Sequence, residues 1–190
     1  RDRAGNVSEV AMDRAVVDTE PPVDCKISIN NNAEYATDAE GNVQLQLFSR
    51  GANYMMVSND PTFENAVWEP YQRNKNWKLA GDDGIKTVLV KYKDFAGNQS
   101  EPQVDDILFD RQPPYDGEIV MDKGHPTTNH PDKVVLAKVR AKDAVLMQVS
   151  NSEDFKGARW QAYSPLNFSW VLAGDDGLKQ TFVRFQDKAG

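Results

Sequence analysis

The tetrapeptide Asp-x-Ala-Gly occurs three times, beginning at Asp2, Asp94 and Asp187, so successive copies are 92 and then 93 residues apart. Other landmarks keep the same interval: Val-Ser-Asn at Val57 and Val149, Trp68 and Trp160, Trp77 and Trp170, Ala-Gly-Asp-Asp-Gly at Ala80 and Ala173, and Pro-Pro at Pro21 and Pro113. Pairs that precede the second tryptophan return 92 and those that follow it return 93, which places one inserted residue between Trp160 and Trp170. A chain built this way solves one folding problem twice, in units the size of a small domain.

Comparing the copies separates inward from outward positions. Val43, Leu45 and Leu47 alternate with Gln44, Gln46 and Phe48, and the second copy offers Val135, Ala137 and Val139 against Leu136, Lys138 and Arg140. Only the first set is apolar in both copies, so the spacing predicts a strand with that set facing a core. Met55 and Val57 match Met147 and Val149 on the next strand, with Met56 answered by Gln148. Val88, Val90 and Tyr92 form one face of Lys86–Asp94, matched by Thr181, Val183 and Phe185; Lys91 and Lys93 answer to Arg184 and Gln186 on the wet side.

Strands are expected at Cys25–Asn30, Val43–Phe48 and Tyr54–Ser58, around Trp68 and Trp77, and at Lys86–Asp94 and Val104–Asp110. No stretch sustains helical periodicity, and EGN, NDP, GDDG and AGN punctuate the chain as turns. The expected fold is all-β, with tandem β-sandwiches of about seven strands each. In the AGN turn Gly97 supplies a positive φ, Asn98 tolerates one, and the Asp94 carboxylate can accept loop N–H groups. DTEPP at Asp18 and DRQPP at Asp110 close the repeats with stiff, extended linkers. These divide the chain into residues 1–22, the final hairpin strands of a preceding repeat; 23–112, a complete repeat; and 113–190, a second repeat lacking its last strand.

Composition narrows the functional classes. A net charge of -7 and a pI near 4.9 leave no basic face for nucleic acid. No apolar run approaches the roughly 18 residues that span a bilayer, so membrane insertion of this segment is not expected. Cys25 is the only cysteine, so no disulfide forms within the chain. Catalysis is not expected either: the first copy has no histidine, and neither a GxSxG elbow nor a Gly-rich phosphate loop is present.

The stretches DTEPP, VSNDPTFENAVWEPY and WKLAGDDGIKTVLVKYKDFAGNQS, with their second-copy counterparts, resemble a recurrent Ig-like, or fibronectin type III-like, repeat of bacterial and archaeal surface proteins. The resemblance covers essentially the whole chain. It implies an extracellular or cell-surface setting in a long multidomain protein, where such repeats act as stalk, spacer or filament body. The second copy departs in reading VSNSEDF for VSNDPTF and in the residue inserted beside Pro165, so the loop before Trp170 is expected to differ in shape.

Several residues invite a chemical reading beside a structural one. Trp68, Tyr71 and Trp77, answered by Trp160, Tyr163 and Trp170, could form an aromatic platform for surface glycans; a trio repeated at matching places is more simply a demand of the fold. No cofactor is expected. Calcium is the one cation weighed, with Asp18, Glu20 and Asp110 at the repeat junctions ahead of the GDDG turns at Gly81 and Gly174. His125 and His130 occur only in copy two, without a third metal ligand, and read as solvated loop residues. Cys25 reads as a small buried hydrophobe. N-x-S sequons at Asn6, Asn98 and Asn167 are explained first by turn geometry.

The ends repeat one another. Copy two stops before the strand equivalent to Val104–Asp110, and the corresponding strand of an upstream repeat is expected at Met12–Asp18. Either the 190 residues are a window on a longer array, the simpler expectation, or the N-terminal strand of one molecule completes the last sandwich of another. Both imply a linear assembly of neighbouring repeats or copies. The function expected is a structural module of an extracellular fibre, filament or adhesin stalk, giving length and stiffness; the alternative is a carbohydrate- or ligand-binding array on the cell surface.

Overall fold

The computed structural model describes residues 3–190. Each repeat starts with a strand carrying a β-bulge, β1 (Val23–Ile29) in the first and β9 (Tyr115–Met121) in the second. Asp24 and Asp116 stand in the left-handed region at the same φ of 54°, a conformation that aspartate tolerates better than bulkier residues. Each bulge is held by an ion pair to the neighbouring strand, Asp24 with Arg50 and Asp116 with Lys142. The hydrogen bond from Lys142 to Asp116 raises the lysine pKa.

The rest of the first repeat is β2 (Tyr35–Ala36), β3 (Asn42–Arg50), β4 (Tyr54–Ser58), β5 (Glu69–Pro70), β6 (Asn74–Lys78), β7 (Gly84–Lys93) and β8 (Gln103–Phe109). They form two sheets, ordered β1-β3-β6 and β2-β8-β7-β4-β5. With β1, β3, β4, β6, β7 and β8 taken as A, B, C, E, F and G of an immunoglobulin sandwich, one sheet is ABE and the other GFC. The extra strand that a constant domain places beside E lies here beside C, as β5. The fold is the expected all-β sandwich, with the short parallel pair β2–β8 as an addition the sequence did not foretell.

The second repeat contains β10 (Val134–Lys142), β11 (Leu146–Ser150), β12 (Gln161–Ala162), β13 (Phe168–Val171) and β14 (Phe182–Gln186). Its sheets, β13-β10-β9 and β12-β11-β14, follow the same plan but hold no partner on the far side of β14 among the described residues. Pairing is kept residue for residue: Val57 faces Val90 as Val149 faces Val183, and Met55 faces Tyr92 as Met147 faces Phe185. Left-handed residues recur too, at Asn30 and Asp122, Asn31 and Lys123, and Phe63 and Phe155.

The core is the one the alternation predicted. Val43, Leu45, Leu47, Met55 and Val57, and in the second repeat Val135, Ala137, Val139, Met147 and Val149, are all buried. Gln148, matched to Met56, is also buried, because its amide donates to Ala158 O and its Oε1 accepts from Arg184 Nε. The Tyr92 hydroxyl crosses between layers to donate to Lys26 O at 2.6 Å. Burial pushes its pKa upward.

The expectation of hairpin strands in residues 1–22 is not met: the described part, 3–22, carries no strand. A strand without a neighbour has no ladder to satisfy its backbone, and Met12–Asp18 is exposed despite its β-like composition. By its contacts the chain divides into two compact units, Arg1–Asn32 with Val43–Leu79 and Lys86–Asp106, and Ala33–Asn42 with Ala80–Ile85 and Ile107–Gly190.

Candidate functional site

The repeated Asp-x-Ala-Gly turn is a hydrogen-bonded staple. Gly97 and Gly190 lie at φ 98° and 106°, where a side chain would be strained. Asp94 Oδ1 accepts from the N–H groups of Gly97 and Asn98 at 2.8 and 2.9 Å, and Asp187 Oδ1 accepts from Gly190 N at 2.8 Å. Asp94 is buried, which raises its pKa, but hydrogen bonds from the Asn98 side chain and from the Asn98, Gly97 and Ala96 backbone outweigh this and hold the carboxyl below its ordinary value. The Asn98 amide also donates to Asp18 O at 3.1 Å and Glu20 O at 3.4 Å, pinning the chain just before the Pro21-Pro22 linker. Asp2, which opens the first copy of the phrase, lies outside the described residues.

The tryptophans expected as a platform are divided between sheets. Trp77, on β6, donates from Nε1 to Asn59 Oδ1 at 2.8 Å, and Trp170, on β13, donates to Asn151 Oδ1 at 3.0 Å. Trp68 lies next to β5 in the opposite sheet, under Lys93 Nζ at 4.3 Å from the ring centroid. The Tyr71 hydroxyl is occupied by Leu47 O and Ser49 N, and that of Tyr163 by the Ala141 N–H and C=O. Each tyrosine ring meets the next core aromatic edge to face, Tyr71 on Tyr92 and Tyr163 on Phe185. Trp160 is the most exposed of the indoles, at 40%.

Cations differ between the copies where the rings do not. Lys91 lies over Phe63 and Lys93 over Trp68, whereas in the second repeat Arg184 alone lies over both Phe155 and Trp160. The left-handed Phe63 and Phe155 close the turns after Val-Ser-Asn, whose chemistry differs but whose shape does not. Asp60 accepts from Thr62 in the first, and Asp154 accepts from Ser152 and Lys156 in the second. Both acids have lowered pKa values, with the backbone N–H of Thr62 and of Lys156 as the main causes.

The calcium candidates make local hydrogen bonds. Asp18 Oδ1 accepts from Glu20 N and Asp110 Oδ1 from Gln112 N, each shaping the backbone before a Pro-Pro pair. In the GDDG turn Asp83 pairs with Arg111 at 2.6 Å. No group of three or more His, Cys, Asp or Glu side chains able to hold a metal occurs among the described residues. His125 and His130 are exposed, and His130 Nδ1 accepts from Asp132 N. Cys25 is only half-buried, against Ser49 Oγ at 3.3 Å.

Asn59, Asn151 and the linker contact of Asn98 are the functional-site residues that the sequence reading passed over. Their signal was available: the asparagine of Val-Ser-Asn is kept in both copies although DPTF becomes SEDF immediately after it.

The remaining feature is an open edge. In the first repeat β7 is flanked by β4 and β8, and Val88, Val90 and Tyr92 are fully buried; in the second, β14 is flanked by β11 alone among the described residues, and Thr181, Val183 and Phe185 are all partly exposed. The Thr181 hydroxyl, at the place of Val88, is buried without a hydrogen-bond partner.

No family profile matches this chain, and no curated protein matches it. A solved structure of fibronectin(III)-like modules of Clostridium thermocellum CbhA is similar, at 10% identity over 86% of this chain and 95% of that chain, with a TM-score of 0.44. The sandwich stands on this chain's own strand order and core. No helix among the described residues is long and apolar enough to cross a membrane.

Proposed function

We propose that this chain is a structural repeat module of an extracellular fibre, filament or adhesin stalk, in which the sandwiches supply length and stiffness and carry no reaction chemistry. The observation that carries this reading is the staple: Asn98 ties the Asp94 turn to the carbonyls of Asp18 and Glu20, so a repeated motif holds a linker in place. Two consecutive prolines follow at Pro21 and Pro22, stiffening the passage further. The polar groups kept in both copies support the same role, because Asn59, Asn151, Tyr71 and Tyr163 bond within their own sandwich. The surface setting follows from the resemblance to surface-protein repeats. Partners on this reading are neighbouring repeats or further copies, with no nucleic acid, and no cofactor is assigned.

Single-molecule stretching of the tethered chain tests it. Each sandwich should rupture separately, releasing roughly 30 nm of contour from residues 23–112 and roughly 26 nm from residues 113–190 at 3.3–3.6 Å per residue, with repeat one breaking at the higher force. Extension without discrete ruptures contradicts a load-bearing role. Glycan binding that is lost on replacing Trp68 or Trp160, with folding intact, would establish the ligand-binding alternative instead.

A further inference from the structure

We propose that two copies of this chain associate side by side through the second repeat, the free edge of β13 in one pairing antiparallel with β13 of the other about a two-fold axis. The proposal goes beyond the spacer reading, which concerns one chain along its length, and adds how chains meet laterally.

The edge belongs to the fold itself. β6 ends the sheet β1-β3-β6 of the complete first repeat, and β13 holds the same place in β13-β10-β9. An exposed edge strand templates further pairing unless charge guards it. Repeat one is guarded: Arg73, Lys75 and Lys78 line this edge, with Lys75 paired to Glu69 at 2.9 Å. At the same places repeat two has Leu166, Phe168 and Val171, and Glu69 has become Gln161. The guard is therefore missing as a set. Trp160–Gly174 is the longest run in the chain without Asp, Glu, Lys or Arg, whereas the matching Trp68–Gly81 carries four such residues. Leu166 and Val171 are 73% and 57% exposed, and Phe168 is partly exposed.

A second copy is the occupant that fits this edge. With a net charge of -7, two copies repel one another over most of their surface, and an uncharged run lets them touch without opposing like charges. The strand is also complementary to itself. Leu172 N donates to Lys133 O, so the backbone groups of Leu172 and Trp170 point toward β10 and those of Asn167, Ser169 and Val171 point to the free side. Val171 O already accepts from Asn151 Nδ2 at 3.0 Å, which leaves its second lone pair for the partner. Centred on Ser169, antiparallel pairing sets Ser169 opposite itself and Asn167 opposite Val171, with each pair exchanging backbone bonds. Phe168 then lies across from Trp170 on the inner face, an aromatic pair of the kind that stabilises neighbouring strands. The surface is the same on both partners, so the contact closes at two chains. One strand a side is a small interface, and the association is of the weak class.

Sedimentation of the full chain over a concentration series tests the joint. The weight-average mass should rise from the single-chain 21.3 kDa toward twice that value and stop there. Leu166→Arg with Val171→Lys, which restores the charges of repeat one, should hold the chain at the single-chain mass throughout. Both residues are exposed, so the thermal melt of the dilute protein should stay where it was. With Cys25→Ser in place, Ser169→Cys should oxidise to a covalent dimer, because directly opposed strand residues lie within disulfide reach. Asn76→Cys, at the matching place on β6, should not. A chain monomeric at every concentration, association indifferent to the Leu166→Arg, Val171→Lys pair, or mass growing past two chains each overturns the proposal. So does a Ser169→Cys chain that cross-links to an Asn76→Cys chain as readily as to itself, which would assign the edge a different strand. A monomer that still ruptures as two stiff modules would leave the spacer role standing, so the two readings fail separately.

Discussion

Val90 and Val183 meet the same neighbour across the same register, Val57 in the first repeat and Val149 in the second, yet only Val90 is sealed from solvent. The sequences around them differ little in apolar character, so composition is not the cause. What differs is a strand: β8 covers the far side of β7, and among the described residues no strand takes that place beside β14. Burial in a sandwich is therefore a property of the sheet a residue belongs to, and two near-identical strands differ in protection according to their second neighbour.

The largest test of this contrast is in the core aromatics. Tyr92→Ala should cost repeat one about 3 to 5 kcal/mol, the range for emptying a buried aromatic site, while Phe185→Ala costs repeat two measurably less because its ring is already partly solvated. Equal losses in denaturant titrations resolved by repeat would break the comparison. Next comes the mismatch at Val88 and Thr181. Val88→Thr should destabilise by about 1 to 3 kcal/mol, the cost of burying an unpaired hydroxyl, and Thr181→Val should be neutral or stabilising. Opposite signs in paired melts sharpen the account.

Smaller effects should be the same in both repeats where the structures agree. Trp77→Phe and Trp170→Phe each remove one indole bond to an asparagine, for about 1 kcal/mol apiece; a difference well outside that range would show that the two sites are not equivalent. Arg184→Met should cost slightly more than Lys93→Met, because each cation covers two rings but Arg184 also bonds Gln148, with a cation–π contact at exposed sites contributing about 0.5–1 kcal/mol. The staple gives a pH dependence. The folded-state pKa of Asp94 is depressed, so its contribution is complete above the unfolded-state value of about 3.9 and is lost as pH falls through the lower folded value. The acid limb of a stability–pH curve should flatten on Asp94→Asn.

The sandwich was legible because two copies filter each other. Tyr54–Ser58 was located to the residue, since Met55 and Val57 stay apolar where Met56 does not. β2 was missed because two residues have no periodicity and its parallel pairing depends on β8, some seventy residues away. The segment Met12–Asp18 looked like a strand and is one only by composition, because a ladder needs a partner that sequence cannot supply. Trp68 and Trp77 were correctly read as paired across repeats, but their division between sheets depends on which side of the sandwich β5 joins.

Amide hydrogen exchange on the 190-residue chain tests the central claim most directly. Along Leu89–Lys93 every amide should be protected, because β7 is bonded on both sides. Along Phe182–Gln186 protection should alternate, slow where the N–H faces β11 and fast where it faces the open edge. Unbroken protection through β14 would contradict the account.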